Sequence, residues 1–124
     1  MFKILFYKDK NGYSDIQEYL DILQERGKTS KTARINHEKI LAYITLLKRS
    51  GTQIGKPVVR YIGGDIWELR PLDNRILFFF WNGNGFVLLS HFMKRTDKTP
   101  DKEKTKATRR MVDYLERKQN ENES

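Results

Sequence analysis

The sequence predicts a single α+β domain in the order β-α-α-β-β-β-β-α, with a small antiparallel sheet packed by a helical hairpin and a C-terminal helix. Three observations lead there. Between residues 14 and 50 the apolar side chains recur at helical spacing. Past Pro57 the pattern changes to short apolar runs broken by Gly, Asn and Pro, which reads as strands. After Thr99-Pro100 helical spacing returns.

The elements follow in order. Phe2–Tyr7 is a short strand-like run. Ser14 stands three residues before Gln17, the form of a capping box, and Ile16, Tyr19, Leu20 and Leu23 follow at helical spacing up to Arg26-Gly27. The first helix is therefore about 14–26. Thr29 or Ser30 caps a second helix whose stripe is Ala33, Ile40, Ile44 and Leu47, and Ser50-Gly51 ends it. The short connection makes the two an antiparallel hairpin. Val58–Ile62, Asp65–Arg70, Arg75–Trp81 and Phe86–Met93 are four strands, with an Asn-Gly hairpin signal in the last break. Pro100 at the first helical position opens the last helix, with Asp101 and Glu103 in its first turn. The domain is expected over 1–118, with a fraying polar tail at 119–124.

The 124 residues suit one domain. The chain has no cysteine, which excludes a disulfide framework, a thiolate metal site and a cysteine nucleophile. Its longest apolar run, Ile76–Trp81, falls far below the ~20 residues of a membrane span. The expectation is a soluble, cytoplasmic protein without a membrane partner. Two distant histidines and scattered aspartates give no metal-ligand spacing, so neither a metal nor another cofactor is expected.

Charge supplies the first functional signal. With 24 Lys and Arg against 16 Asp and Glu, the formal net charge is +8. Residues 28–62 carry 8 basic and 1 acidic side chain, and residues 93–110 carry 8 basic and 3 acidic. A basic small domain commonly meets an anionic partner, most often nucleic acid. The bland alternative is that these blocks are solvated helix faces and loops.

Strand parity turns charge into a site. If 71–74 is a four-residue loop, Glu68 lies opposite Leu77 and Trp67 opposite Phe78. Trp67, Leu69, Ile76, Phe78 and Phe80 then share a core face, while Glu68, Arg70 and Arg75 share the other. Facing arginines repel, so Glu68 alone balances them in a salt bridge, or an anion completes the cluster. In one two-residue register of the next hairpin, Lys94 lies opposite Arg75, whereas a three-residue loop or a bulge would reverse the parity. By the same even-loop logic Phe86, Leu88, Ser90 and Phe92 share the Arg75 face, and His91 points to the core with Val87 and Leu89. His91 reads as a structural residue with a minor case for catalysis. Lys94, Arg95 and Lys98 lie where a strand end meets a helix N-terminus, a place that favours anions.

Trp67-Glu68-Leu69-Arg70, the following Arg75, Val87–Phe92 and Met93–Pro100 together resemble the RelE/HigB superfamily of bacterial toxins, and most closely its phage-derived HigB branch. The resemblance spans Phe2 to about Leu115. It implies the toxin of a toxin–antitoxin system, an endoribonuclease that cuts mRNA in the ribosomal A site without metal. The ribose 2′-OH attacks the adjacent phosphate and leaves a 2′,3′-cyclic phosphate. Carried onto this chain, Arg70 and Arg75 clamp the phosphate, and Lys94 adds positive charge. Glu68 is the available base, unless both arginines lock it. Lys56, Arg60, Arg95 and Lys98 bind RNA. Tyr114 is the nearest tyrosine to a catalytic tail position. A helix-turn-helix antitoxin is implied as partner, in a two-plus-two heterotetramer. The hairpin 14–50, with Ile22, Ile35 and Leu46 off its core stripes, offers a surface for it. Two other readings stand beside this one. A ParE-like gyrase inhibitor would keep the fold, and a basic RNA- or ribosome-binding module would lack enzymatic activity.

Overall fold

A computed structural model describes residues 1–123. The elements are β1 (Lys3–Phe6), α1 (Asp15–Arg26), α2 (Lys31–Ser50), β2 (Val59–Gly63), β3 (Ile66–Leu69), β4 (Asn74–Trp81), β5 (Gly85–Met93) and α3 (Asp101–Glu123), with a 3-10 turn at Gly51–Ile54 after α2. The predicted order holds, and most boundaries agree within a residue or two. Both helix starts are capped as the sequence suggests. The Ser14 hydroxyl accepts the Gln17 N–H and the Ser30 hydroxyl accepts the Ala33 N–H. At the far end, α3 continues through Glu123, so 119–123 is helical.

The strands form one five-stranded sheet in the order β1-β5-β4-β3-β2. β2 to β5 are antiparallel neighbours, but β1 runs parallel to β5 and makes the sheet mixed. A parallel neighbour needs a crossover, and the whole span from α1 to β4 lies between these two strands in the chain.

Both faces of the sheet are covered. Ile16, Leu20, Leu23, Ile40 and Leu47 of α1 and α2 pack on Leu69, Ile76, Phe78, Phe86 and Leu88. On the other face Ala107 and Met111 of α3 pack on Ile66, Leu77, Phe79, Val87 and Leu89. Each fully buried aliphatic or Phe side chain contributes roughly 1.5–3 kcal/mol. Trp67, Leu69, Ile76 and Phe78 share the α1/α2 face as expected, with Phe80 half exposed at its margin. The face expected to carry Glu68, Arg70 and Arg75 holds a second core, with the charged cluster at one end.

The β3–β4 register is the predicted one, with Trp67 opposite Phe78 and Glu68 opposite Leu77. The β4–β5 register departs from expectation twice. Trp81 pairs with Gly85, leaving a three-residue turn, and a bulge between Leu77 and Phe78 then shifts the pairing by one. The turn reverses parity and the bulge restores it. Phe86 and Leu88 therefore face α1 and α2 rather than the Arg75 side, while Ser90 and Phe92 still share that side. Val87 and Leu89 face α3, away from His91, which stands opposite Ile76.

Candidate anion-binding site

Glu68 is the centre of the charged cluster. It is only 1% exposed. Arg60 of β2 lies directly across the strand pair from it, a position set by a register shift between Tyr61 and Gly63. Arg70 follows Glu68 by two residues and Arg75 precedes its partner Leu77 by two, so strand alternation puts all four on one face. Glu68 Oε1 lies 3.4 Å from Arg60 Nη2, 3.5 Å from Arg70 Nε and 3.9 Å from Arg75 Nε.

The second carboxylate oxygen is taken. Thr99, buried where the chain enters α3, donates its hydroxyl hydrogen to Glu68 Oε2 at 2.6 Å. Arg60 Nη2 in turn donates to Thr99 Oγ1 at 3.1 Å and to the Asp97 carbonyl at 3.2 Å. Arg75 Nη1 donates to the carbonyls of Leu72 and Asn74, each at 2.8 Å. Burial first, and then the Arg70 charge, lower the Arg75 pKa from its ordinary value, against the pull of Glu68.

Three guanidiniums around one carboxylate leave two positive charges unbalanced if all four are ionised. In a partly dehydrated setting such an excess attracts oxyanions. Glu68 is a poor candidate for the base in this arrangement, because neither oxygen is open to a substrate hydroxyl.

The other predicted residues divide. Lys94 is not opposite Arg75, since the shifted register gives that place to Phe92. Its backbone N–H meets the Asp73 carbonyl, and its ammonium lies 3.7 Å from Asp97. Arg95 and Lys98 are exposed on the segment before α3, and Lys98 lines a shallow groove with Arg60, Ile62, Thr99 and Lys104. Lys56 is exposed in the turn before β2 and is not one of the guanidiniums around Glu68. His91 faces α1, stacked on Tyr19, on the side of the sheet away from Glu68. Tyr114 packs edge-on against Phe79 and Trp81. It stands fifteen residues beyond Thr99, roughly 20 Å along the helix.

Sequence reasoning missed the role of Thr99 and the place of Arg60 inside the cluster. The Arg60 position depends on the register shift in β2. In the sequence Thr99 marks only the start of α3, ahead of Pro100. Among the described residues, no group of three or more His, Cys, Asp or Glu side chains could hold a metal ion. No helix there is long and apolar enough to cross a membrane.

Fold and site together define a basic α+β domain built around an arginine cluster braced by one buried carboxylate. Residues 28–112 match the family described as Phage derived protein Gp49-like (DUF891), and the chain belongs to that family. The match runs from the α1–α2 connection into α3 and contains Arg60, Glu68, Arg70, Arg75 and Thr99. No curated protein matches the chain.

Proposed function

We propose that this protein is the toxin of a toxin–antitoxin system and cuts mRNA on the ribosome. The observation that carries the reading is the unbalanced arginine cluster at Glu68, beside the cationic segment 94–98. Attack of a ribose 2′-OH on the neighbouring phosphate builds negative charge on the phosphoryl oxygens, and preorganised guanidiniums stabilise that charge. The 2′-hydroxyl gives its proton to water as the 2′-oxygen bonds to phosphorus, and the 5′-oxygen leaves with its electron pair and takes a proton from water. Lys94 and Arg95 add positive potential at the strand end, and Lys98 extends it into the groove. A helix-turn-helix antitoxin is the proposed partner. Ile22 and Ile35, both 44% exposed on α1 and α2, belong to the surface it would cover.

A second reading has its own support. With both Glu68 oxygens enclosed, the site can bind RNA or the ribosome without cutting. Primer extension in a reconstituted translation system separates the two. Cuts within codons that need ribosomes support the interferase. An active, ribosome-binding protein that leaves the message intact favours the binding module. Cuts without ribosomes would remove the A-site requirement.

A further inference from the structure

We infer that Arg60 and Arg70 form the phosphate-gripping pair, and that Arg75, Glu68 and Thr99 are positioning residues behind them. The substrate class is a phosphodiester strand entering along the groove between β2 and the start of α3. Only the choice of RNA as that strand rests on the interferase reading.

Exposure divides the three arginines. The side chains of Arg60 and Arg70 are 28% and 20% exposed, whereas that of Arg75 is 6% exposed. Arg75 and Arg60 each spend one Nη, Arg75 on the Leu72 and Asn74 carbonyls and Arg60 on Thr99 and the Asp97 carbonyl, so burial rather than bonding sets Arg75 apart. Arg70 turns Nε inward toward Glu68, which directs its outer nitrogens away from the carboxylate. Arg60 lines the groove with Lys98 and Lys104, which supply charge for neighbouring phosphates.

Between Glu68 Oε1 and the guanidiniums the brace is electrostatic rather than built from directed bonds. Glu68 Oε1 is buried without a hydrogen-bond partner, and so are Arg60 Nε and Arg70 Nε. Glu68 therefore holds the guanidiniums by charge. Thr99 fixes the geometry, because its hydroxyl gives its hydrogen to Glu68 and accepts from Arg60. A methyl in place of that hydroxyl removes both bonds and frees Arg60 to rotate out of the grip.

The test is fluorescence anisotropy of a 5′-fluorescein, 2′-O-methyl oligoribonucleotide, which cannot be cleaved, over a salt series. Ribosome-dependent cleavage is assayed in parallel on the same proteins. Arg60→Gln and Arg70→Gln should each weaken binding by about tenfold at low salt. Each should lower the salt slope by about 0.7, the value for one single-strand phosphate contact. Thr99→Val should weaken binding and Thr99→Ser should restore it, with far- and near-UV circular dichroism unchanged. Lys48→Gln, on the exposed last turn of α2, should bind as the parent does. Wild-type binding and slope in Arg60→Gln, or equal weakness of Thr99→Ser and Thr99→Val, would overturn the inference. If binding depends on Arg60 and Arg70 but no message is cut, the grip stands and the interferase reading fails. If messages are cut and Arg60→Gln cuts them as well as the parent, the reading stands and the inference falls.

Discussion

Tyr19 lies almost flat on His91, with ring centroids 3.9 Å apart and planes inclined by 23°. Both rings reach Asn74 Oδ1, Tyr19 by its hydroxyl at 2.9 Å and His91 by Nε2 at 3.0 Å. An amide oxygen only accepts, so His91 Nε2 carries the hydrogen. The Asn74 amide nitrogen completes the network by donating to Asn36 Oδ1 and the Pro71 carbonyl. This polar knot ties α1, α2 and β4 to β5 on the side of the sheet away from the arginines.

The knot should make stability depend on pH. Burial lowers the His91 pKa from 6.5 to about 4, opposed by Asp15. The unfolded chain then binds more protons than the folded one between these values. Stability is full above pH 6.5 and falls as the pH drops toward 4, by on the order of 3 kcal/mol from this residue. Urea unfolding at several pH values checks it. His91→Gln should show a shallower loss over that window, and identical slopes would contradict the assignment.

Arg70 and Arg75 should part company on truncation. Arg75→Ala strips the Leu72 and Asn74 carbonyls of a donor and removes a buried charge beside Glu68. The cost is about 1–3 kcal/mol, that of leaving a buried carbonyl without its donor, because Arg60 and Arg70 still balance Glu68. Arg70→Ala, at the more exposed rim, should keep its fold and lose growth arrest. Thermal melts alongside a toxicity assay read both. A stable Arg75→Ala protein would undo the distinction.

Gly51 has φ +64° and ψ −159°, and a Cβ there would meet the Phe2 ring at 2.9 Å. Such backbone is nearly closed to other residues. Gly51→Ala should cost about 1–3 kcal/mol and loosen the contact of Phe2 with the end of α2. Chemical denaturation measures the loss. Gly12→Ala is an informative comparison, since its φ is also positive but its surroundings are open.

Phe78 is fully buried and meets Phe86 edge to face at 5.5 Å. Phe78→Ala should cost about 3–5 kcal/mol through lost burial and a cavity between the sheet and α2. A shift in the denaturation midpoint below what 1 kcal/mol produces would mean that the helices close over the gap.

Much of this architecture was legible because it is local. Ser14, Ser30 and the stripes behind them fix two helices by capping and periodicity alone. The four residues 71–74 are short enough to set the Trp67–Phe78 register. The rest depends on single residues inserted into strands. The turn after Trp81 and the bulge beyond Phe78 leave no clear mark in composition, so the parity of β5 could not be carried through. The parallel pairing of β1 joins distant parts of the chain. The Thr99–Glu68 bond likewise links residues 31 positions apart, which no periodicity reports. Hence Glu68, Arg70 and Arg75 were placed together from sequence, while their buttress was not.

The bulge in β5 decides which face of the sheet receives the imidazole of His91. Were pairing to continue from Trp81–Gly85 without interruption, residue 91 would stand opposite residue 75. The imidazole would then sit among the guanidiniums. The bulge therefore keeps the imidazole in its stack with Tyr19 and leaves the centre around Glu68 without a titrating ring.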